Sequence, residues 1–377
     1  MQDFGCSPHL HKVLPDPVIL TSIEGFQFQG HRLVRVTAAD GASGVVVVND
    51  RLAYLWPILE RFVLPCFIGK DARDLPSLVE AVYTYRSAYK LSGIALWCPV
   101  AYVELSVLDL LGQLTHQPAG RLLGSVVREQ IPIYLSSGNR DTTPNEEVAW
   151  LSDRLTETNA RAVKLKIGGR MSQNADASPG RTDRLIPLAR QTFGDDVTIY
   201  VDANGSYDAD HAIEVAALLA DYGVAFLEEP CPWQDYWKTK RVADALALPV
   251  AGGEQDSSLP TFDWMIRDRV VDVVQPDMMY NGGLMRCLRV AEMAAAAGIP
   301  VMPHSPKVGA EAAAVVQFGS ITPNLGPHQE WNARQAAPVS WYSPSFGIVD
   351  GVVPVPEGPG LGVTYDVDIW EKAERVF

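Results

Sequence analysis

The sequence predicts an α/β fold: a modified TIM-type (β/α) barrel preceded by an N-terminal α+β capping domain. Two observations predict it. Three acids, Asp202, Glu228 and Glu254, recur 26 residues apart, each closing a short apolar run. One strand, one helix and their turns take about 25–30 residues in a barrel of eight such units. In addition, the pattern alternates strand and helix from Ile131 onward, whereas the first hundred-odd residues read as strands followed by helices.

The elements follow in order. Val18–Phe28, His31–Ala38 and Gly44–Val48 are β-rich runs parted by Gln29-Gly30 and Asp40-Gly41, which is the pattern of a three-stranded meander. Helical patterns cover Leu52–Phe62, Asp74–Tyr89 and Val100–Leu114, the last closed by Gln117-Pro118. Eight barrel strands are then predicted: Ile131–Leu135, Ala162–Ile167, Thr198–Asp202, Ala225–Glu228, Pro249–Ala251, Val271–Gln275, Pro300–Pro303 and His328–Glu330. Amphipathic stretches such as Asp208–Tyr222 and Leu284–Ala297 lie between them. Ser136-Ser137-Gly138-Asn139 is no phosphate-binding glycine turn, and Gly358–Gly362 follows no strand–helix pattern, so a doubly wound sheet is disfavoured. The capping domain is placed at residues 1–125, completed by the segment 341–377, and the barrel at 126–340.

The bulk properties exclude several classes. The chain has 377 residues, 47% hydrophobic, and a net charge of −14, with a pI near 4.9. Such acidity argues against nucleic acid or an anionic membrane as partner. It does not exclude a small anionic substrate, because a metal and lysines in a pocket can reverse the local field. No apolar stretch is read as approaching the length of roughly 18–20 residues that spans a bilayer, and no secretory signal is read, so a cytoplasmic protein is expected. Cys6, Cys66, Cys98, Cys231 and Cys287 are scattered and form no C-x-x-C, which suggests reduced thiols.

The chemistry follows from the spacing. Asp202, Glu228 and Glu254 at three successive strand tips converge on the mouth where this architecture keeps its active sites. Three hard oxygen ligands there suggest Mg2+. On the second strand, Lys164 and Lys166 share one face. Two ammonium groups facing inward disfavour each other's charge, which offers a neutral amine as a base. Asp277 follows Glu254 by 23 residues, His304 follows Asp277 by 27, and Glu330 follows His304 by 26. A carboxylate on one ring nitrogen of His304 fixes the tautomer and raises the basicity of the other. The polar segment Gly168–Thr182 follows the second strand and either shapes the pocket or is an insert.

Taken together, Lys-x-Lys on strand two, Asp-x-Asn on three, Glu-Glu-Pro on four, Gly-Glu on five, Asp on six, His on seven and Glu on eight resemble the enolase superfamily and, within it, the mandelate racemase subgroup. Val103-Glu104-Leu105 through Gly112, Leu122-Leu123-Gly124 and Pro359–Gly362 also look like that family. The resemblance implies a carboxylate substrate and abstraction of the proton α to it, with a Lys or His base and metal. It implies that Lys166 is the base on one face of the α-carbon, and that His304, oriented by Asp277, is the base or acid on the other. Lys164 would neutralise the substrate carboxylate. Glu330 would hydrogen-bond it as a protonated acid, and Asn204 would hold substrate or support the metal ligands. The residue after the strand-five acid, Gln255, and the long loop after Lys166 depart from the pattern.

Four readings follow from the resemblance: dehydration of a sugar acid (aldonate or aldarate) to a 2-keto-3-deoxy acid, racemisation or epimerisation, lactone cycloisomerisation, and a non-catalytic scaffold. The intact catalytic set disfavours the last, and dehydration is favoured. His31, Tyr54, Ser136 and Arg170 are candidates to bind a polyol, while Phe26, Phe28 and Trp56 keep an aryl substrate open. Homo-oligomers are expected from the resemblance.

Overall fold

Runs rich in β-branched residues make the first sheet. In the computed structural model, which describes residues 7–171, 174–334 and 339–377, β1 (Leu20–Phe28), β2 (His31–Ala38) and β3 (Ser43–Val48) form an antiparallel meander. Leu33, Val34, Val36 and Val45–Val48 are buried beneath the 22-residue helix Ile94–Thr115. A Cβ on Gly44 would strike the backbone of Ser106 and Leu110, so glycine there lets sheet and helix approach closely.

That helix corrects the expectation that no segment is long and apolar enough to cross a membrane: by length and composition it is. Every residue from Leu96 to Gly112 is buried in the protein. A helix apolar on all sides is what a core position requires. It also starts six residues before the predicted Val100, with Pro99 inside it.

The barrel uses β4 (Gln130–Ser136), β5 (Ala162–Lys166), β6 (Thr198–Asp202), β7 (Leu227–Glu228), β8 (Val250–Gly252), β9 (Val273–Val274) and β10 (Gln329–Asn332). They pair in parallel in the order β10-β4-β5-β6-β7-β8-β9. The predicted strand Pro300–Pro303 is reduced to Val301, which bridges Val274 on one side and Leu325 on the other. Pro300 and Pro303 have no N–H to give a longer ladder. A helix follows each of the first six strands and the Val301 bridge, from Pro144–Thr158 to Ala313–Ile321. Several begin at caps legible in the sequence: Thr143 and Glu146 form a capping box, and Asp208 accepts from the His211 N–H at 2.9 Å.

Inward-facing Tyr134, Ala162, Tyr200, Phe226, Ala251, Val273 and Met302 fill the barrel as one apolar cluster. Tyr200 stacks on Phe226 with ring centroids 4.2 Å apart. Because side chains alternate along a strand, the next inward positions are Ser136, Lys164, Asp202, Glu228, Gln275 and His304. The apolar plug thus forms the floor of the polar layer.

Cap and barrel are joined by buried carboxylates. Glu104 accepts from the N–H groups of Met285 (2.9 Å) and Leu284 (3.2 Å), the first residues of the helix Leu284–Ala296. Asp109 accepts from Val45 N (2.9 Å) and Leu361 N (2.7 Å), tying the cap sheet to the tail. In that tail, Val352–Pro354 pairs antiparallel with β4, and Glu374–Arg375 adds a fourth strand beside β1. Cys66, Cys98, Cys231 and Cys287 are free and buried; Cys6 lies outside the described residues.

Glu104→Ala removes both acceptors from a buried helix start. It should lower stability by about 2–4 kcal/mol in chemical denaturation, and Glu104→Gln, which keeps one acceptor oxygen, should cost less.

Candidate active site and metal centre

Strand register builds the site. Lys166 lies beside Asp202 on the neighbouring strand, and Asp202 lies beside Glu228 on the next. One ligand oxygen from each of Asp202, Glu228 and Glu254 falls within 4.8 Å of the others, and all three residues are buried. Glu254 sits one residue beyond the regular inward alternation. Gly253, at φ +112°, provides the turn that brings it in.

Lys164 is fully buried among carboxylates. Its Nζ lies 2.8 and 2.9 Å from the two oxygens of Glu228, 2.7 Å from Glu330 Oε1 and 4.0 Å from Asp202 Oδ2. Burial works against its charge, yet Glu228 and Glu330 hold the ammonium well above the ordinary lysine value. The expectation that the paired lysines would depress Lys164 is therefore corrected: carboxylates, not Lys166, dominate its surroundings. Lys166 pairs with Asp202 Oδ2. Burial raises the Glu228 carboxyl to about 8, with Asp202 adding to the effect.

Across the mouth, His304 Nδ1 lies 2.8 Å from Asp277 Oδ2. Asp277 Oδ1 accepts from Met279 N (2.7 Å) and Tyr280 N (2.9 Å), so the acid that aims the ring is itself fixed. His304 Nε2 is 3.2 Å from Glu254 Oε2, a contact close enough for charge attraction, although that oxygen makes no well-aligned hydrogen bond. Burial disfavours the imidazolium, but Glu254, Glu330 and Asp277 together raise it to about 10.

Glu330 Oε1 accepts from Ser136 Oγ (2.7 Å) and Oε2 from Ser305 N (2.7 Å). Burial pushes its carboxyl up, but Lys164, His304 and Lys166 outweigh that and hold it near 2. The protonated form expected from the sequence is thus replaced by an ion pair with Lys164.

The remaining predicted residues divide. Ser136 is buried in the site through Glu330. Asn204, at φ +44°, donates its backbone N–H to Asp202 Oδ1 at 2.7 Å and its side-chain N–H to Oδ2 at 3.1 Å. His31 makes no direct contact with the carboxylate trio among the described residues but lies 3.8 Å from Glu311, which pairs with Lys307 and lines a small cavity with Asp277 and His304. Tyr54 is 65% exposed and makes no hydrogen bond or ring contact with the carboxylates among the described residues. Arg170 donates its backbone N–H to Ser206 Oγ. Of the aromatics, Phe26 packs in the cap against Trp370 and Phe28 against Trp341. In the segment 168–182, residues 172 and 173 lie outside the described residues. The rest is tied down: Met171 N to Asn204 O (2.9 Å), Asn174 N to Ser206 O (2.7 Å), and Asp176 to Thr182.

Three contributors escaped the sequence reading. Gln275 donates to Glu228 Oε2 at 2.9 Å while its own Oε1 has no partner. Glu229, the second acid of Glu-Glu-Pro, is buried with one oxygen unpartnered. Arg140 reaches Asn204 Oδ1 from the loop after β4. Gln275 was findable from strand alternation, two residues beyond Val273. Arg140 carried no signal of its own.

Replacing Lys164 by Met would leave buried carboxylates without their cation. Lys164→Met should destabilise the protein by about 3–5 kcal/mol when unfolding is measured in chelator.

Residues 147–369 match the family described as enolase C-terminal domain-like. The arabinonate dehydratase of Saccharolobus solfataricus is 26% identical, with 89% of each chain covered. The D-galactarolactone cycloisomerase of Agrobacterium fabrum is 27% identical, with 80% of each covered. Among solved structures, a protein of Roseobacter denitrificans provisionally designated a racemase is 35% identical, with TM-score 0.87 over 95% of this chain and 98% of that one. A mandelate racemase/muconate lactonizing protein of Paracoccus denitrificans, complexed with magnesium, is 26% identical with TM-score 0.87, covering 95% of this chain and 99% of that one. The matched span, the fold and the order of the strand-tip residues converge: the chain belongs to the enolase superfamily, in its mandelate racemase subgroup.

Proposed function

We propose that this protein is an acid-sugar dehydratase that removes the proton α to a carboxylate and expels the β-hydroxyl, giving a 2-keto-3-deoxy acid. The observation that carries this is the placement of Lys166 at the tip of β5 and of the Asp277–His304 pair just past β9 and the Val301 bridge, with a carboxylate trio gathered at the same mouth. Curated relatives support dehydration: besides the arabinonate enzyme, L-rhamnonate, D-gluconate and D-galactonate dehydratases match at 25–26% identity.

The donor set fits magnesium. Three buried carboxylates converge, and Glu254 keeps an oxygen without an aligned donor. Asp202, Glu228 and Glu254 would hold the ion, which would supply a Lewis acid for the developing negative charge.

The side chains do the rest. Lys164 lends fixed positive charge where the substrate carboxylate binds. Lys166, acting as the neutral amine after its ammonium has released a proton, accepts the C2 proton at Nζ, and the electrons of that C–H bond form the C2–C3 double bond. The C3–O bond breaks as His304 Nε2 gives its proton to the departing hydroxyl, which leaves as water. The resulting enol loses its O2 proton and gains one at C3. Asp277 keeps the His304 ring aimed throughout. Glu330 and Ser136 hold Lys164 in place.

A second reading is racemisation or epimerisation. It is favoured by the 35% identity to the Roseobacter protein, and it would use the same two groups without loss of hydroxide.

Three measurements test this. Asp202→Asn and Glu254→Gln should each weaken magnesium binding at least about 10-fold by calorimetry. With magnesium present, Lys166→Ala and His304→Asn should each lower kcat by at least about 100-fold; unchanged turnover in both would sink the mechanism. A screen of aldonic and aldaric acids in deuterated water should yield a keto-deoxy product. Deuterium at C2 without loss of water would establish the racemase reading instead.

A further inference from the structure

The loop after β4 presents an arginine, Arg140, that makes no ion pair among the described residues. The Arg140 guanidinium is partly buried, and its hydrogen bonds go to uncharged oxygens: Gly168 O at 3.3 Å and Asn204 Oδ1. The acid whose charge acts on it, Asp202, is taken by Lys166, Asn204 and, more distantly, Lys164. Burial lowers the arginine's pKa from its ordinary value, and the nearby Arg170 and Arg181 add to that against the pull of Asp202. A desolvated cation without a counter-charge is unfavourable unless a ligand supplies one.

The loop is built to hold this group still. Buried Glu147 accepts from Ser137 Oγ, from Asn139 Nδ2 (2.9 Å) and from Thr142 Oγ1 (2.8 Å), which pins both ends of the turn that carries Arg140. Arg181 clamps the same turn to the base strand, donating to Thr142 O (3.0 Å) and Lys166 O (2.9 Å). A second cation flanks it: Arg334, just past β10, donates to Asn139 Oδ1 at 2.6 Å. In a chain of net charge −14, this is a fixed basic rim between the first, second and eighth strands. Such preorganised guanidinium groups suit a carboxylate.

Position decides which carboxylate. The reacting one is served by Lys164 and the acidic trio. Arg140 stands one side chain farther out, bonded to the Asn204 that itself braces Asp202. We propose that Arg140 binds a second, terminal carboxylate, so that the enzyme selects dicarboxylic sugar acids over the corresponding monocarboxylic ones. The inference rests on the reading that the site abstracts a proton α to a carboxylate.

The test compares an aldarate with the aldonate of matching configuration, in magnesium and deuterated water. Wild-type protein should show the higher kcat/KM for the aldarate. R140Q, which keeps an amide N–H for Asn204, should lower the aldarate-to-aldonate ratio of kcat/KM by about 100-fold, chiefly through KM for the diacid. Arg140→Lys should restore part of it. An unchanged ratio in R140Q, or a wild-type preference for aldonates, overturns the proposal. If aldonates are dehydrated or exchange their C2 proton and aldarates do neither, only the anion site falls. If neither class is dehydrated or exchanged by wild-type protein, the underlying reading falls with it.

Discussion

The buried ammonium of Lys164 is the constraint around which the barrel mouth is arranged. It lies within hydrogen-bonding distance of Glu228 and Glu330 and near Asp202. Without a cation at that point, the mouth would hold several carboxylates in a medium that screens them poorly. The strand register makes the arrangement possible: β5 sets Lys164 inward beside Tyr200, and Asp202 and Glu228 follow on the neighbouring strands level with Lys166. The apolar plug beneath, from Tyr134 to Met302, keeps water from reaching these charges from below. Stability and chemistry thus compete for the same groups. A substrate carboxylate at Lys164 would displace part of an existing ion-pair network rather than enter an empty cavity.

Much of this was legible in the sequence because strand and barrel periods are simple. The 26-residue beat of acids marked three successive strand tips, and the two-residue step in Lys164-Leu165-Lys166 put both lysines on one face. Both depend on backbone geometry, which composition does not blur. What the sequence concealed depends on contacts between distant segments. Arg140 matters because the turn that bears it is fastened by Glu147 and crosses to Asn204, and a lone arginine in a polar loop announces neither. The charge on Glu330 was misjudged for a similar reason: protonation is decided by the closest cation, and the closest is Lys164, far away in sequence. The predicted strand at Pro300–Pro303 failed on local chemistry, since two of its four residues cannot donate to a ladder.

The cap contributes to the site mainly through rigidity. Its longest helix sends Glu104 to the start of the barrel helix Leu284–Ala296. That helix also carries Arg286, whose guanidinium lies 3.6 Å from the centroid of the Trp97 ring and 2.9 Å from Glu80. The loop before it, which bears Asp277, is therefore held between two domains. His304 takes its orientation from an acid fixed at that junction.

The final residues of the chain lie against some of the first. Glu374–Arg375 pairs with Gln27 and Phe26 of β1, and Phe377 packs over Gly25. During synthesis, β1 is therefore an open sheet edge for as long as the whole barrel takes to emerge. An unpaired edge invites pairing with another chain. The partly buried charges on this strand and its neighbour, Glu24 and Arg35 at 2.8 Å, sit where a foreign strand would have to approach. The strand that completes the first sheet thus lies beyond the whole barrel in sequence.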